Sequence, residues 1–100
     1  MDMDERYRLI ISTILNARGC QVEVEHMLST GRIDIVASTS RFIYVMELKL
    51  ANNGGINDAE KQIIDNGYLK PFFADTRKVI GLAVELDDMG KGLIDWKEVK

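Results

Sequence analysis

A chain of 100 residues, 46% hydrophobic and 29% charged, is expected to form one globular domain covering residues 1–100. Its net charge of −3 argues against non-specific coating of nucleic acid, because that affinity comes from many lysine and arginine contacts to phosphate. One cysteine and one histidine exclude a Cys/His zinc site within the chain. No apolar run reaches the ~20 residues of a membrane span, and the acidic N-terminus is unlike a signal peptide, so we expect a cytoplasmic protein without a membrane partner.

The first half of the chain predicts a helix followed by three strands. Asp2 and Glu5 have the spacing of a capping box, and apolar residues recur at helical spacing after them, so a helix is expected over residues 2–18. Alternating residues, and then a nearly continuous apolar run, predict strands at 21–27, 32–37 and 42–50. The short turns between these strands favour an antiparallel meander, with the third strand at the centre of the sheet.

The second half predicts a helix, a strand and one extra strand. Asn57 begins a second capping-box pattern, so the second helix is expected to start near Asn57 and to end near residue 66. The apolar strand 78–86 follows this helix, and a crossover helix joins parallel strands, so this strand should lie parallel to the central one. Residues 93–99 are more polar and are expected at an edge. The predicted class is α/β, a mixed sheet flanked by helices.

Three charged residues lie in the cores of these strands: Asp34 on the second, and Glu47 and Lys49 on the third. Burying an ion costs several kcal/mol unless a partner or a metal compensates for the lost water. Side chains alternate along a strand, so Glu47 and Lys49 share a face, roughly 7 Å apart. If the hairpin register brings Asp34 beside Glu47, the two carboxylates can share a divalent ion, and the carbonyl of Leu48 can add a third oxygen.

Such a site has the parts that phosphodiester hydrolysis requires. Mg²⁺ prefers hard oxygen ligands, and a bound divalent ion activates water and stabilises charge on a phosphate. Lys49 would orient that water or balance the growing negative charge. The structural alternative for Asp34, Glu47 and Lys49 is an ion pair at a strand end.

Four stretches carry a resemblance to a known family: Gly31-Arg32-Ile33-Asp34-Ile35, Tyr44-Val45-Met46-Glu47-Leu48-Lys49-Leu50, Ala59-Glu60-Lys61-Gln62-Ile63 with Tyr68 and Pro71-Phe72, and Arg77-Lys78-Val79-Ile80-Gly81. As a set, they resemble the PD-(D/E)XK nuclease superfamily. Within that superfamily, they bear a closer resemblance to the small C-terminal nuclease domain of bacterial and archaeal proteins with an AAA-ATPase-like N-terminal region. Ile33 stands where the motif has proline, which many members of the superfamily lack.

The resemblance implies a restriction-endonuclease-like core and assigns roles to particular residues. It implies Asp34 and Glu47 as ligands of Mg²⁺ or Mn²⁺, Lys49 as the catalytic lysine, and Gln62 as a helix residue that reaches the site. The implied activity is that of a metal-dependent endonuclease or exonuclease, with DNA as the nucleic acid partner. An ATPase-like domain or protein is a further implied partner.

Two other functions stay open at this stage. The same fold can serve as a catalytically idle module that binds a partner protein or nucleic acid, for which the 93–99 edge strand is a candidate surface. The second open function is that of a nuclease that works only as a homodimer.

Several further residues have weaker claims to a site. Glu5 and Glu25 are candidates for an additional carboxylate, although a helix cap already explains Glu5 and an exposed strand face already explains Glu25. The aromatic residues of the second half are interpreted as core or interface packing rather than as platforms for stacking bases. They are Tyr68, Phe72, Phe73 and Trp96.

Overall fold

The sheet is mixed and five-stranded, with its strands in chain order from β1 to β5, in a computed structural model that describes all 100 residues. Its elements are α1 (Met3–Ala17), β1 (Gln21–Leu28), β2 (Gly31–Ser38), β3 (Phe42–Leu50), α2 (Gly55–Asp65), β4 (Lys78–Leu86) and β5 (Leu93–Val99). Strands β1 to β3 form the antiparallel meander, β4 lies parallel to β3, and β5 is an antiparallel edge strand. The predicted α/β class, with a core like that of restriction endonucleases, is confirmed.

Helix α1 begins where its sequence predicts. The Asp2 side chain accepts a 2.9 Å hydrogen bond from the backbone N–H of Glu5, which satisfies one of the free donors of the first turn. The helix packs over β1, β2 and β3. Its buried residue, Tyr7, donates its hydroxyl to the carbonyl of Asp87 at 2.8 Å and accepts the N–H of Gly92 at 3.1 Å. Tyr7 thereby ties α1 to the loop between β4 and β5.

Helix α2 begins two residues before Asn57, near which its start was predicted. The helix begins at Gly55, after Gly54 with φ 96°, a left-handed conformation that glycine adopts without strain. No side chain of the preceding loop caps it. Instead, the Oε1 atom of Glu85 on β4 accepts the N–H of Ile56 at 2.9 Å. The helix start is therefore determined by a carboxylate that is distant in sequence.

One helix packs on each face of the sheet, and α2 packs over β3, β4 and β5 on the face opposite α1. The core on the α2 side consists of Ile33, Ile43, Val45, Ala59, Ile63, Tyr68, Ala83 and Val99. The smaller core on the α1 side consists of Tyr7, Val84 and Leu86. Phe73, which follows the short 3-10 turn Lys70–Phe72, is 64% exposed, and Trp96 is 58% exposed, so neither residue packs in the core. The interpretation of these two residues as interface packing stays a prediction. No helix is long and apolar enough to cross a membrane.

Candidate functional site

The site lies where β2 and β3 stop pairing. The two strands are in antiparallel register up to Ile35 and Met46, and the same register continued by one residue places Asp34 opposite Glu47. Beyond that point, side-chain carboxyl oxygens accept backbone N–H groups in place of the backbone carbonyls of the strand ladder. The N–H of Asp34 donates to Oε1 of Glu47 at 3.3 Å, and the N–H of Leu48 donates to Oδ2 of Asp34 at 2.8 Å. The register on which the shared site depended therefore brings the two carboxyl groups together.

Burial makes this pair of acids unusual. Glu47 is 3% exposed, and its pKa is raised to about 8 by burial first, then by the negative charge of Asp34 and a side-chain hydrogen bond between the two groups. Burial also raises the pKa of Asp34, against the opposing effects of the Leu48 N–H and the Arg8 cation. At neutral pH the pair therefore holds a proton in place of its second negative charge.

One cavity of about 670 Å³ contains every residue that the sequence assigned to the site. Asp34, Glu47, Leu48, Lys49 and Gln62 all line it. The positive charge of Lys49 lowers the pKa of both acids, yet Lys49 forms no salt bridge with either of them. Leu48 contacts Asp34 through its backbone N–H. The positions of these residues agree with the predicted site, while their roles stay predictions.

Gln62 reaches the cavity from α2 and is held there by Tyr68. Its Nε2 atom donates to the Tyr68 hydroxyl at 3.1 Å, and that hydroxyl donates to the carbonyl of Arg32 at 3.2 Å. The Asn66 side chain donates to the same oxygen, also at 3.2 Å. Tyr68 is fully buried, so it connects α2 rigidly to the start of β2, two residues before Asp34. Sequence reasoning identified Tyr68 as packing, but not the role of its hydroxyl.

Arg8 of α1 is the site residue that sequence reasoning missed. Its guanidinium lies 2.8 Å from a carboxylate oxygen of Glu25 and 3.9 Å from Oδ1 of Asp34. Glu25 has φ 54° and is skipped in the pairing of β1 with β2, which continues on both sides of it, and it also approaches Arg32 at 3.6 Å. Glu25 therefore pairs with arginines and does not add a third carboxylate to the acids.

Two acidic side chains, those of Asp34 and Glu47, lie at the centre of the site. No group of three or more His, Cys, Asp or Glu side chains converges in a way that could hold a metal ion. Glu5, considered as an additional carboxylate, is exposed on α1 outside the cavity, whereas Asp4 lines it. Helical spacing alone could have identified Asp4 and Arg8 as neighbours on one face, because they are four residues apart.

A comparison with protein families agrees with the fold and the motif. The family model described as the PD-(D/E)XK nuclease superfamily matches residues 3–96. Members of this superfamily typically use divalent metal ions. No curated protein matches the chain.

Proposed function

The chain belongs to the PD-(D/E)XK nuclease superfamily, and we propose that it hydrolyses phosphodiester bonds of DNA in a reaction that requires Mg²⁺ or Mn²⁺. The observation that carries this proposal is the hydrogen-bonded pair of carboxyl groups, Asp34 and Glu47, beside Lys49 in one cavity. Two such acids on separating strands have little structural use. They supply the oxygen ligands that a hard divalent cation prefers.

The chemistry of these donors fits such a cation. Burial disfavours negative charge on these two carboxyl groups and raises the pKa of both, which favours a proton between them near neutral pH. A bound divalent ion would replace this proton and compensate for both negative charges. Asp34 and Glu47 would hold the ion, with the Leu48 carbonyl as a further oxygen. When bound, the ion would lower the pKa of a water molecule and offset negative charge on the phosphate.

The other residues of the cavity have separate tasks in this proposal. Lys49 projects from the same face of β3 as Glu47, where its cation would orient the attacking water and stabilise charge in the transition state. Gln62, held by Tyr68, would fix the position of a substrate or water oxygen through its amide. Neither task requires these side chains to titrate.

Local charge supports a phosphate-bearing substrate despite the net charge of −3. Arg8, Arg32 and Lys49 line the cavity together with the acids. Cations gathered at a cleft attract a polyanion locally, even where the protein as a whole is acidic. These three residues are thus candidates for contacts to the DNA backbone on either side of the cleaved bond.

Cleavage assays test the proposal directly. Wild-type protein should cut single-stranded, duplex or branched DNA with Mn²⁺ or Mg²⁺ and lose activity in EDTA, with RNA as the comparison substrate. Glu47→Gln should lower the rate by at least ~100-fold, the scale expected when a group that stabilises the transition state is removed. Glu98→Gln, a change at an exposed acid of β5, is the matched control and should leave the rate unchanged. Cleavage that survives both EDTA and Glu47→Gln would rule out this mechanism.

A catalytically idle binding module is the second candidate, and the presence of only two converging acids favours it. Calorimetry with Mn²⁺ separates the two functions without a choice of substrate. Wild-type protein should bind Mn²⁺ and release a proton near neutral pH, while Asp34→Asn should bind it far more weakly. Absence of Mn²⁺ binding by the wild type would support the binding module instead.

A further inference from the structure

The free edge of β5 is exposed along almost its whole length. Every residue of β5 except Val99 is exposed, and three of them are large and apolar: Leu93, Ile94 and Trp96. An open apolar groove of about 380 Å³ lies on the α1 side of β4 and β5, between these strands and the α1 residues Tyr7, Ile10 and Ile11. Leu93 and Trp96 line this groove. An unpaired strand edge beside an uncovered apolar face is a template for pairing with another strand.

The backbone groups of Trp96 point towards this free edge. Its N–H is bound by the side chain of its neighbour Asp95 at 2.8 Å rather than by β4. Backbone groups alternate in direction along a strand, so Asp95 and Lys97 direct theirs towards β4. A strand added to the edge would therefore find the N–H and C=O of Trp96 available once Asp95 turns away.

Among the antiparallel registers centred on Asp95, Trp96 or Lys97, charge favours the one centred on Trp96. Antiparallel pairing about a two-fold axis at Asp95 sets acid against acid, and an axis at Lys97 sets lysine against lysine. An axis at Trp96 sets Asp95 of each copy opposite Lys97 of the other, twice. Opposite charges directly across a strand pair stabilise it, and like charges destabilise it.

We propose that the chain forms a two-fold symmetric homodimer in which β5 pairs antiparallel with β5 of a second copy, centred on Trp96. The two Trp96 residues then exchange backbone hydrogen bonds and lie side by side on the α1 face, because Trp96 is opposite Val84 of that core. The two sheets become continuous, and the two apolar grooves meet across the axis. Charged residues at an edge usually prevent pairing, but here they are complementary to a second copy of the same strand.

The surrounding contacts are compatible with this arrangement. Lys97 forms a 2.9 Å salt bridge with Glu60 of α2, which holds its ammonium group on the α2 face. Asp95 shares that face by strand alternation, so Asp95 of the second copy would approach the existing pair. The acidic site at Asp34 and Glu47 lies on inner strands, so both copies of it stay accessible.

Charge exchange between two single variants tests the proposal. Asp95→Lys places lysine opposite lysine in its own dimer, and Lys97→Asp places aspartate opposite aspartate. Each variant alone should dimerise about tenfold more weakly than wild type, because two attractive cross-strand pairs become repulsive. An equimolar mixture of the two should form a heterodimer, since both pairs are then attractive. Analytical ultracentrifugation over a concentration series measures each case.

Two further measurements make the test specific. Trp96 is the single tryptophan of the chain, so its fluorescence should change on dilution together with the mass. Lys91→Asp reverses a charge on the exposed turn before β5 and should leave dimerisation unchanged. Because Lys97→Asp also breaks the pair with Glu60, recovery in the mixture is the decisive observation. A wild type that stays monomeric into the millimolar range, or single variants that dimerise as well alone as mixed, would overturn the proposal.

Discussion

Replacing Glu47 with glutamine should make the metal-free protein more stable as the pH rises. In the folded state the pKa of Glu47 is about 8, against an ordinary value of 4.5, chiefly because the carboxyl group is buried. The folded state therefore keeps a proton that the unfolded chain has already released. The contribution of Glu47 to the free energy of unfolding of the wild type is therefore greatest below pH 4.5. It decreases as the pH rises and levels off above pH 8. Glutamine has nearly the same shape and no charge at any pH, so it avoids this loss.

The size of the effect follows from the two pKa values. Each unit of separation between them corresponds to ~1.4 kcal/mol. Up to about 5 kcal/mol of wild-type stability is therefore lost between pH 4.5 and pH 8, and about 3 kcal/mol of this is lost by pH 7. For a domain of this size, 1 kcal/mol moves the melting temperature by roughly 4–8 °C. The advantage of Glu47→Gln should be large enough to measure at neutral pH and should level off above pH 8.

Urea unfolding in EDTA from pH 5 to pH 9 measures the difference between wild type and variant. Glu98→Gln alters an exposed acid, and its curve should run parallel to that of the wild type. Protein concentration is kept low and equal throughout, so that self-association does not contribute. Curves for Glu47→Gln and wild type that stay parallel to within about 0.5 kcal/mol across this range would refute the claim that Glu47 is buried with a proton.

Two other predictions concern contacts that support the site. Gly31→Ala would place a Cβ atom 2.5 Å from the Tyr68 hydroxyl and should cost ~1–3 kcal/mol. Gly31→Ala combined with Tyr68→Phe should cost less than the two changes summed, because the shortest of the contacts to the added Cβ is then removed. Additive costs in that double-mutant cycle would count against the contact. Glu85→Ala should destabilise the protein by ~1 kcal/mol, since the N–H of Ile56 loses its acceptor at the start of α2, and Glu85→Gln should retain part of that stability. Equal losses for alanine and glutamine would show that the negative charge at the start of α2, and not the hydrogen bond to Ile56, is responsible.

Strand patterns in the sequence predicted most of the fold because they depend on local alternation. Strand β3 occupies residues 42–50 as expected, and the helical connection after it required a parallel neighbour. The sequence could predict that Asp34 and Glu47 lie side by side only if the hairpin had one particular register, and it did not determine that register. A slip of one residue would have turned one of these side chains to the opposite face.

Contacts between residues distant in sequence were beyond local reasoning. The start of α2 depends on Glu85, which follows it by about thirty residues, so the capping-box spacing at Asn57 had no means of revealing it. Arg8 reaches the site because α1 crosses β1 and β2 at that end of the sheet.

The structural alternative for the acids, an ion pair with Lys49, makes two demands that the site does not meet. An ion pair would bring the lysine within about 4 Å of a carboxylate and hold the pKa of that carboxylate below its ordinary value. Lys49 forms no salt bridge, and the pKa of Glu47 is raised. Continued pairing of β2 with β3 would have satisfied the N–H groups of Asp34 and Leu48 with backbone carbonyls, at no cost in buried charge. The chain instead separates two strands and gives up stability to hold two acids in a cleft, which is the arrangement expected where a cation binds and not where the fold alone is served.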